Sequence, residues 1–173
     1  NNPFHCGIMR SYNNSVIEKA LVGISAITTF EETTPGLLTI SQTNFINNGN
    51  GVLMSAFLTP TTTASSFQDC IFVDNHHLTP NTNGIASFFT HSVLISRCRF
   101  TGFTQSGILG VNSGIEIEGG TIFDDNNFGI DMSNFMLGSP LTSWLKFTGS
   151  EFQRHLFDHN TSAHIRLDNV VGF

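Results

Sequence analysis

Charge is scarce in this chain. Asp, Glu, Lys and Arg make up 12% of its 173 residues, about half the share of an ordinary globular domain. The seven Lys and Arg are scattered without a basic stripe and the formal net charge is −6, which argues against nucleic acid as a partner. No apolar run approaches the ~18 to 20 residues that cross a bilayer, so no membrane span is expected. The start lacks the basic-then-apolar pattern of a secretory leader. It opens at Asn1-Asn2-Pro3 without Met, so it reads as a mature product or a piece of a longer chain, and the missing leader carries no weight on compartment. Cysteine is limited to Cys6, Cys70 and Cys98. None forms a CxxC pair, so a zinc ribbon or thioredoxin-type site is not supported.

Asn, Thr, Ser and Gly supply most of the polarity instead. Hydrophobic residues reach 39%, too many for a disordered chain, and 17 Phe stand against one Tyr and one Trp. Turn-forming polar residues with Phe to fill an interior suit a turn-rich β structure.

An internal repeat organises this material. Five segments end in Phe, with a small residue two positions before it: Leu38 to Phe45 (LTISQTNF), Ser65 to Phe72 (SSFQDCIF), Val93 to Phe100 (VLISRCRF), Ile115 to Phe123 (IEIEGGTIF) and Leu145 to Phe152 (LKFTGSEF). The anchors Phe45, Phe72, Phe100, Phe123 and Phe152 recur every 23 to 29 residues. A polar turn follows most of them, and then Gly51-Val52, Gly84-Ile85, Gly107-Ile108 or Gly129-Ile130. The last copy lacks the Gly but reaches Ile165 and Leu167, and a weaker early copy runs through Ile17 and Gly23-Ile24. Each repeat holds two or three short alternating segments and no helical run. This predicts a single all-β domain, a β-solenoid of about six coils, with the best repeats over residues 37–170.

Stacking the coils makes ladders. Thr43, Cys70, Cys98, Thr121 and Ser150 share the parity of the Phe and should point inward. Cys70 and Cys98 would then lie one strand spacing apart, as stacked free thiols or as a bridge. Asn48, Asn75 and Asn126, three residues after the Phe, suit left-handed corners and stacked amides. Ile40, Phe67, Ile95, Ile117 and Phe147 form a further inward row, in which Ile117 fits if Gly119-Gly120 absorbs one extra residue as a bulge. The stretches Phe57 to Ser65, His76 to Asn83 and Phe135 to Ser143 read as loops leaving the coil.

The pattern apolar-x-x-[Ser/Thr/Cys]-x-Phe-x-x-Asn-x-x-Gly-Ile resembles the right-handed parallel β-helix repeat of pectin-lyase-like proteins. The resemblance implies three parallel sheets, an Asn-containing corner and a place in secreted or cell-surface proteins, bacterial surface proteins and phage tailspikes among them. Enzymes of this fold cluster acids and basic groups on one sheet. The Trp-Ile-Asp-His signature of pectate lyases is absent, and the polygalacturonase set is absent as a set. Asp124-Asp125 imitates one element of it, at a corner where Asn47 and Asp74 take the place of Asp125.

Other candidates are dispersed. Arg97 and Arg99 flank Cys98 and could hold a sugar carboxylate; the plainer reading pairs Arg97 with Asp69 of the neighbouring coil. Glu116 and Glu118 could share a calcium ion, but Glu116 should face Lys146. His155, Asp158, His159 and His164 gather near the end without a spacing that compels convergence on a metal. The resulting expectation is a non-catalytic extracellular module, a stalk or adhesion segment that takes polysaccharide or another surface protein as its partner within a larger chain or assembly. A polysaccharide lyase or hydrolase, and a tailspike segment, are the alternatives.

Overall fold

A computed structural model of the chain describes residues 9–11, 15–27, 38–55, 64–76, 79–135, 142–149 and 155–170. Six coils of three strands follow one another. They are β1 (Met9–Ser11), β2 (Ser15–Glu18) and β3 (Val22–Ile27); β4 (Leu38–Ser41), β5 (Thr43–Ile46) and β6 (Asn50–Ser55); β7 (Ser65–Gln68), β8 (Ile71–Val73) and β9 (Asn83–Phe88). Then come β10 (Val93–Ser96), β11 (Arg99–Thr101) and β12 (Ser106–Val111); β13 (Gly114–Glu118), β14 (Ile122–Asp124) and β15 (Phe128–Ser133); β16 (Trp144–Thr148), β17 (Leu156–Asp158) and β18 (Ala163–Asp168). Every third strand joins the same sheet, giving three six-stranded sheets, and all pairings are parallel between adjacent coils. The predicted parallel β-helix of six coils is the fold.

The corners are short because the backbone turns through the left-handed region. Between the first and second sheets it does so at Gln42, Asp69, Arg97 and Gly119-Gly120; between the second and third, at Lys19, Asn47, Gly102, Asp125 and His159. Asn and Asp tolerate this region better than most residues. The left-handed residue after the Phe is thus the second along, Asn47 or Asp125, and not Asn48 or Asn126 as the spacing suggests. Those two work through their side chains. Asn48 Nδ2 donates to the Ile17 carbonyl at 2.9 Å and its Oδ1 accepts the Ala20 N–H at 3.0 Å. Asn126 does the same to Phe100 (3.1 Å) and Phe103 (3.1 Å), and Asn160 to Phe123 and Asn126 (both 3.1 Å). Each amide therefore satisfies the backbone of the preceding coil's corner. Asn75 departs from this row and is exposed, because the long connection from Val73 to Asn83 carries it outward.

The core is a set of ladders along the axis. Ile40, Phe67, Ile95, Ile117 and Phe147 are in register as expected, and Gly119 and Gly120, at φ 71° and 74°, take up the extra residue. Phe45, Phe72, Phe100 and Phe123 stack with centroids 4.6, 4.7 and 5.1 Å apart. The fifth ring is Phe157, 4.8 Å from Phe123 and in register with it. The assignment of Phe152 is therefore corrected. The last coil has a longer connection between Thr148 and Leu156 than the one between Ser96 and Arg99, so the anchor falls five positions later. Phe152 and Ser150 lie outside the described residues, and His155 takes the row position expected for Ser150. The expected loops at Phe57 to Ser65 and Phe135 to Ser143 fall largely outside them too, as does Cys6.

Cys70 and Cys98 are buried and free. Each thiol sits 3.3 Å from the carbonyl two residues back, Gln68 or Ser96, where Thr43 makes a 2.9 Å bond to Ser41. The row is a set of corner staples in which thiol and hydroxyl interchange. The hydrogen bond from Cys98 lowers the Cys70 pKa, whereas burial pushes the Cys98 thiol well up. A Cys98 held neutral in the core is a poor nucleophile.

Candidate functional site

The corner between the second and third sheets leaves polar side chains around a hollow. After the inward Phe of coils two, four, five and six the strand ends and a left-handed residue turns the backbone. The residues at and after this turn carry the chain to the third-sheet strand, some of them buried and some facing outward. In coils three to six these are Asp74 and Asn75, then Gly102, Phe103 and Thr104, then Asp125, Asn126 and Asn127, and last Thr161. Together they line a groove of about 480 Å³ that runs along the axis.

Its floor is fixed by backbone bonds between coils. Asn127 N–H donates to the Phe103 carbonyl at 2.9 Å and Thr161 N–H to the Asn126 carbonyl at 2.8 Å. Asp74 is 1% exposed, and its Oδ1 accepts the His76 N–H at 3.3 Å. Gly102 lies so close to it that a Cβ there would stand 2.4 Å from the Asp74 carbonyl oxygen. Asp125 and Thr161 are exposed, and Thr104 and Asn127 half-buried. Thr161 Oγ1 donates to Asn127 Oδ1 at 3.3 Å. Carboxylates, amides and hydroxyls at successive corners offer hydrogen bonds to a hydroxyl-rich chain laid along the axis.

Of the residues singled out from the sequence, only Asp125 and the row residues Asn75 and Asn126 line this groove. Asp124 points outward from β14 beside it. Its Oδ2 accepts Arg99 Nη2 at 3.2 Å, and its Oδ1 lies 3.4 Å from His159 Nδ1. Asp124, Asp158 and His159 bring ligand atoms within 4.8 Å of one another, but the Arg99 guanidinium already occupies one side of Asp124. Arg97 and Arg99 do not share a sheet face, because Arg97 sits in the left-handed corner at φ 50°. There it grips Asp69 with Nε–Oδ1 2.7 Å and Nη2–Oδ2 2.8 Å, which lowers the Asp69 pKa and raises that of Arg97. Glu116 faces Lys146 at 2.8 Å and also accepts Thr148 Oγ1 at 3.3 Å. The cation that meets Glu116 is thus a lysine, and Glu118 stands one alternation further along β13.

The sequence reading missed Asp74, Thr104, Asn127 and Thr161 as groove residues, and with them the pair Arg166–Asp131. In that pair Arg166 closes on a carboxylate only 3% exposed and lies 4.1 Å over the Phe128 ring. For the groove a signal existed, since each of these residues lies two to four positions after an inward Phe.

No curated protein and no solved structure matches the chain. Residues 6–169 match the family described as the right handed beta helix region, which agrees with three parallel sheets in a six-coil stack, and the chain belongs to that family.

Proposed function

We propose that the chain serves as a non-catalytic extracellular β-helical module, a rigid stalk or adhesion segment that binds glycan along the groove between its second and third sheets. The observation that carries this reading is the groove itself, a run of outward Asp, Asn and Thr from four successive coils. Coils repeat at the ~4.8 Å strand spacing, so a polymer lying along the axis meets a similar corner at every step. Stacked coils support one another only through their neighbours, which suits a rod that presents a long surface. The outward charges also favour a structural part. Asp69, Asp124, Glu116 and Asp131 each have a cationic partner, Arg97, Arg99, Lys146 and Arg166.

The test is a glycan-array screen of the intact chain, run beside reducing-sugar and unsaturated-product assays on the same polysaccharides. Binding without turnover is the expected result. Turnover that disappears in Asp124→Asn or Asp125→Asn would make the protein a lyase or hydrolase instead, and failure to bind any glycan would remove the ligand half of the proposal.

A further inference from the structure

We infer that Asp124, Asp158 and His159, at the outer face of the second sheet and its corner, bind a divalent transition-metal ion of the zinc type. The inference is independent of whether the groove takes glycan. Each residue turns one ligand atom toward the others. His159 Nδ1 lies 3.4 Å from Asp124 Oδ1 and 3.3 Å from Asp158 Oδ2, and the three atoms all fall within 4.8 Å of one another. Two ligands bonded to one tetrahedral ion at ~2.0 to 2.1 Å stand about 3.3 Å apart. The imidazole therefore already has the spacing from both carboxylates that a shared ion requires.

The other carboxylate oxygens are held by separate partners. Asp124 Oδ2 accepts Arg99 Nη2 at 3.2 Å, and Asp158 Oδ1 accepts the backbone N–H of His159 at 3.0 Å. Arg99 thus orients the Asp124 carboxylate by the oxygen that does not face His159, as outer partners of metal ligands do. The row to which the two carboxylates belong needs no charge. Asp124 and Asp158 are in register on β14 and β17, and the same row holds Ile46, Val73 and Thr101 in coils two to four. Like charges directly opposite on adjacent strands are unfavourable, and a cation shared between them reverses that sign. The imidazole selects the class of cation. Calcium and magnesium take oxygen ligands, whereas imidazole suits zinc, copper and nickel. The side chains of Asp158 and His159 are 53% and 75% exposed, so the ion enters from solvent, and three protein ligands leave a position for water.

The test is calorimetric titration of zinc chloride, and separately of calcium chloride, into the intact chain and into its His159→Asn, Asp158→Asn and His164→Ala variants. His159 occupies its left-handed corner at φ 47°, and Asn47 fills the equivalent corner of the second coil at φ 54°, so His159→Asn keeps the turn. Circular dichroism checks that each variant keeps the fold. The natural chain is expected to bind one zinc ion that excess calcium does not displace. His159→Asn and Asp158→Asn should each weaken that site by about tenfold or more, since losing even an outer partner of a ligand has that effect. His164→Ala removes another exposed imidazole and should leave the site unchanged. In the natural chain, Co²⁺ added in place of zinc should shift the imidazole resonances of His159 before those of His91 or His164. Zinc affinity that is equal in the natural chain and in His159→Asn overturns the inference, as does the absence of a zinc site in the natural chain. Calcium binding as tight as zinc binding also overturns it, by placing the ion on the carboxylates alone. An equal loss in His164→Ala overturns it too, by making zinc binding a property of surface histidines at large.

Discussion

In the first five coils the residue before the first inward apolar side chain of the third sheet is glycine: Gly23, Gly51, Gly84, Gly107 and Gly129. In the sixth coil it is His164, in register with Gly129. The glycines are not required by their own backbone, since none of the five has a positive φ. They are required by the coil above. A Cβ on Gly51 would stand 2.8 Å from Phe72 Cδ1, one on Gly84 2.5 Å from Phe100 Cδ1, and one on Gly107 or Gly129 3.0 Å from the ring of Phe123 or Phe157. Gly and Phe are thus one device split between neighbouring coils. The Phe ring fills the space that the missing side chain of the coil below leaves open. Among the described residues no ring of a further coil lies over His164, whose ring neighbour is Phe157 of its own coil at 6.1 Å, and there the device lapses.

The largest expected effect tests this division. Gly84→Ala forces a methyl against Phe100 and the Gly107 carbonyl and should lower stability by about 3 kcal/mol, at the upper end for overpacked cores. His164→Ala, at the same place in the repeat, should stay within about 0.5 kcal/mol. Denaturant midpoints at unchanged slope measure both. Equal losses at the two sites would mean that glycine serves the strand itself and that the pairing with Phe is incidental.

How the repeat reads from sequence follows from the same coupling. Residues that must match a neighbour one coil away are legible: Phe45 to Phe123, the Gly-apolar pairs, Ile117 with its Gly119-Gly120 bulge, Glu116 opposite Lys146, Arg97 beside Asp69. Residues whose position is set by the length of a corner are not. Phe152 and Phe157 both end polar stretches, and only the number of residues between Thr148 and Leu156 decides which ring enters the stack. The groove was hidden for a related reason. Asp74, Asp125 and Thr161 belong to corners of different lengths, so their convergence appears only once the coils are superposed. His155, which stands where Thr121 and Cys98 stand in earlier coils, could not have been foreseen from a preference for small residues.

A middle-sized effect contrasts two asparagines that the spacing treats as equals. Asn126 is 1% exposed and satisfies the Phe100 carbonyl and the Phe103 N–H at once. Asn126→Ala leaves both buried groups without that partner and should cost about 2 kcal/mol. Asn75 is exposed, and Asn75→Ala should change stability by less than about 0.5 kcal/mol. Amide exchange at Phe103 should speed up in the first variant and not in the second.

The smallest effect lies outside the stack, at an ion pair between adjacent corners. Arg97 and Asp69 form a two-pronged pair between adjacent corners, with side chains 43% and 36% exposed. Solvent screening limits such a pair to about 1 kcal/mol or less. The hydrogen bond from Arg97 holds the Asp69 carboxyl below its ordinary value in the folded chain. Folding is then favoured by the ionised form, so the contribution is complete above the ordinary carboxylate range and vanishes as pH falls through the lowered Asp69 value. Arg97→Gln should therefore lower stability slightly and evenly near neutral pH, with the gap to the natural chain closing on acidification or in high salt. A gap that persists in acid would mean that Arg97 acts as packing over its corner rather than as a charge. Exposed links between coils would then resemble the buried ones more than their accessibility suggests.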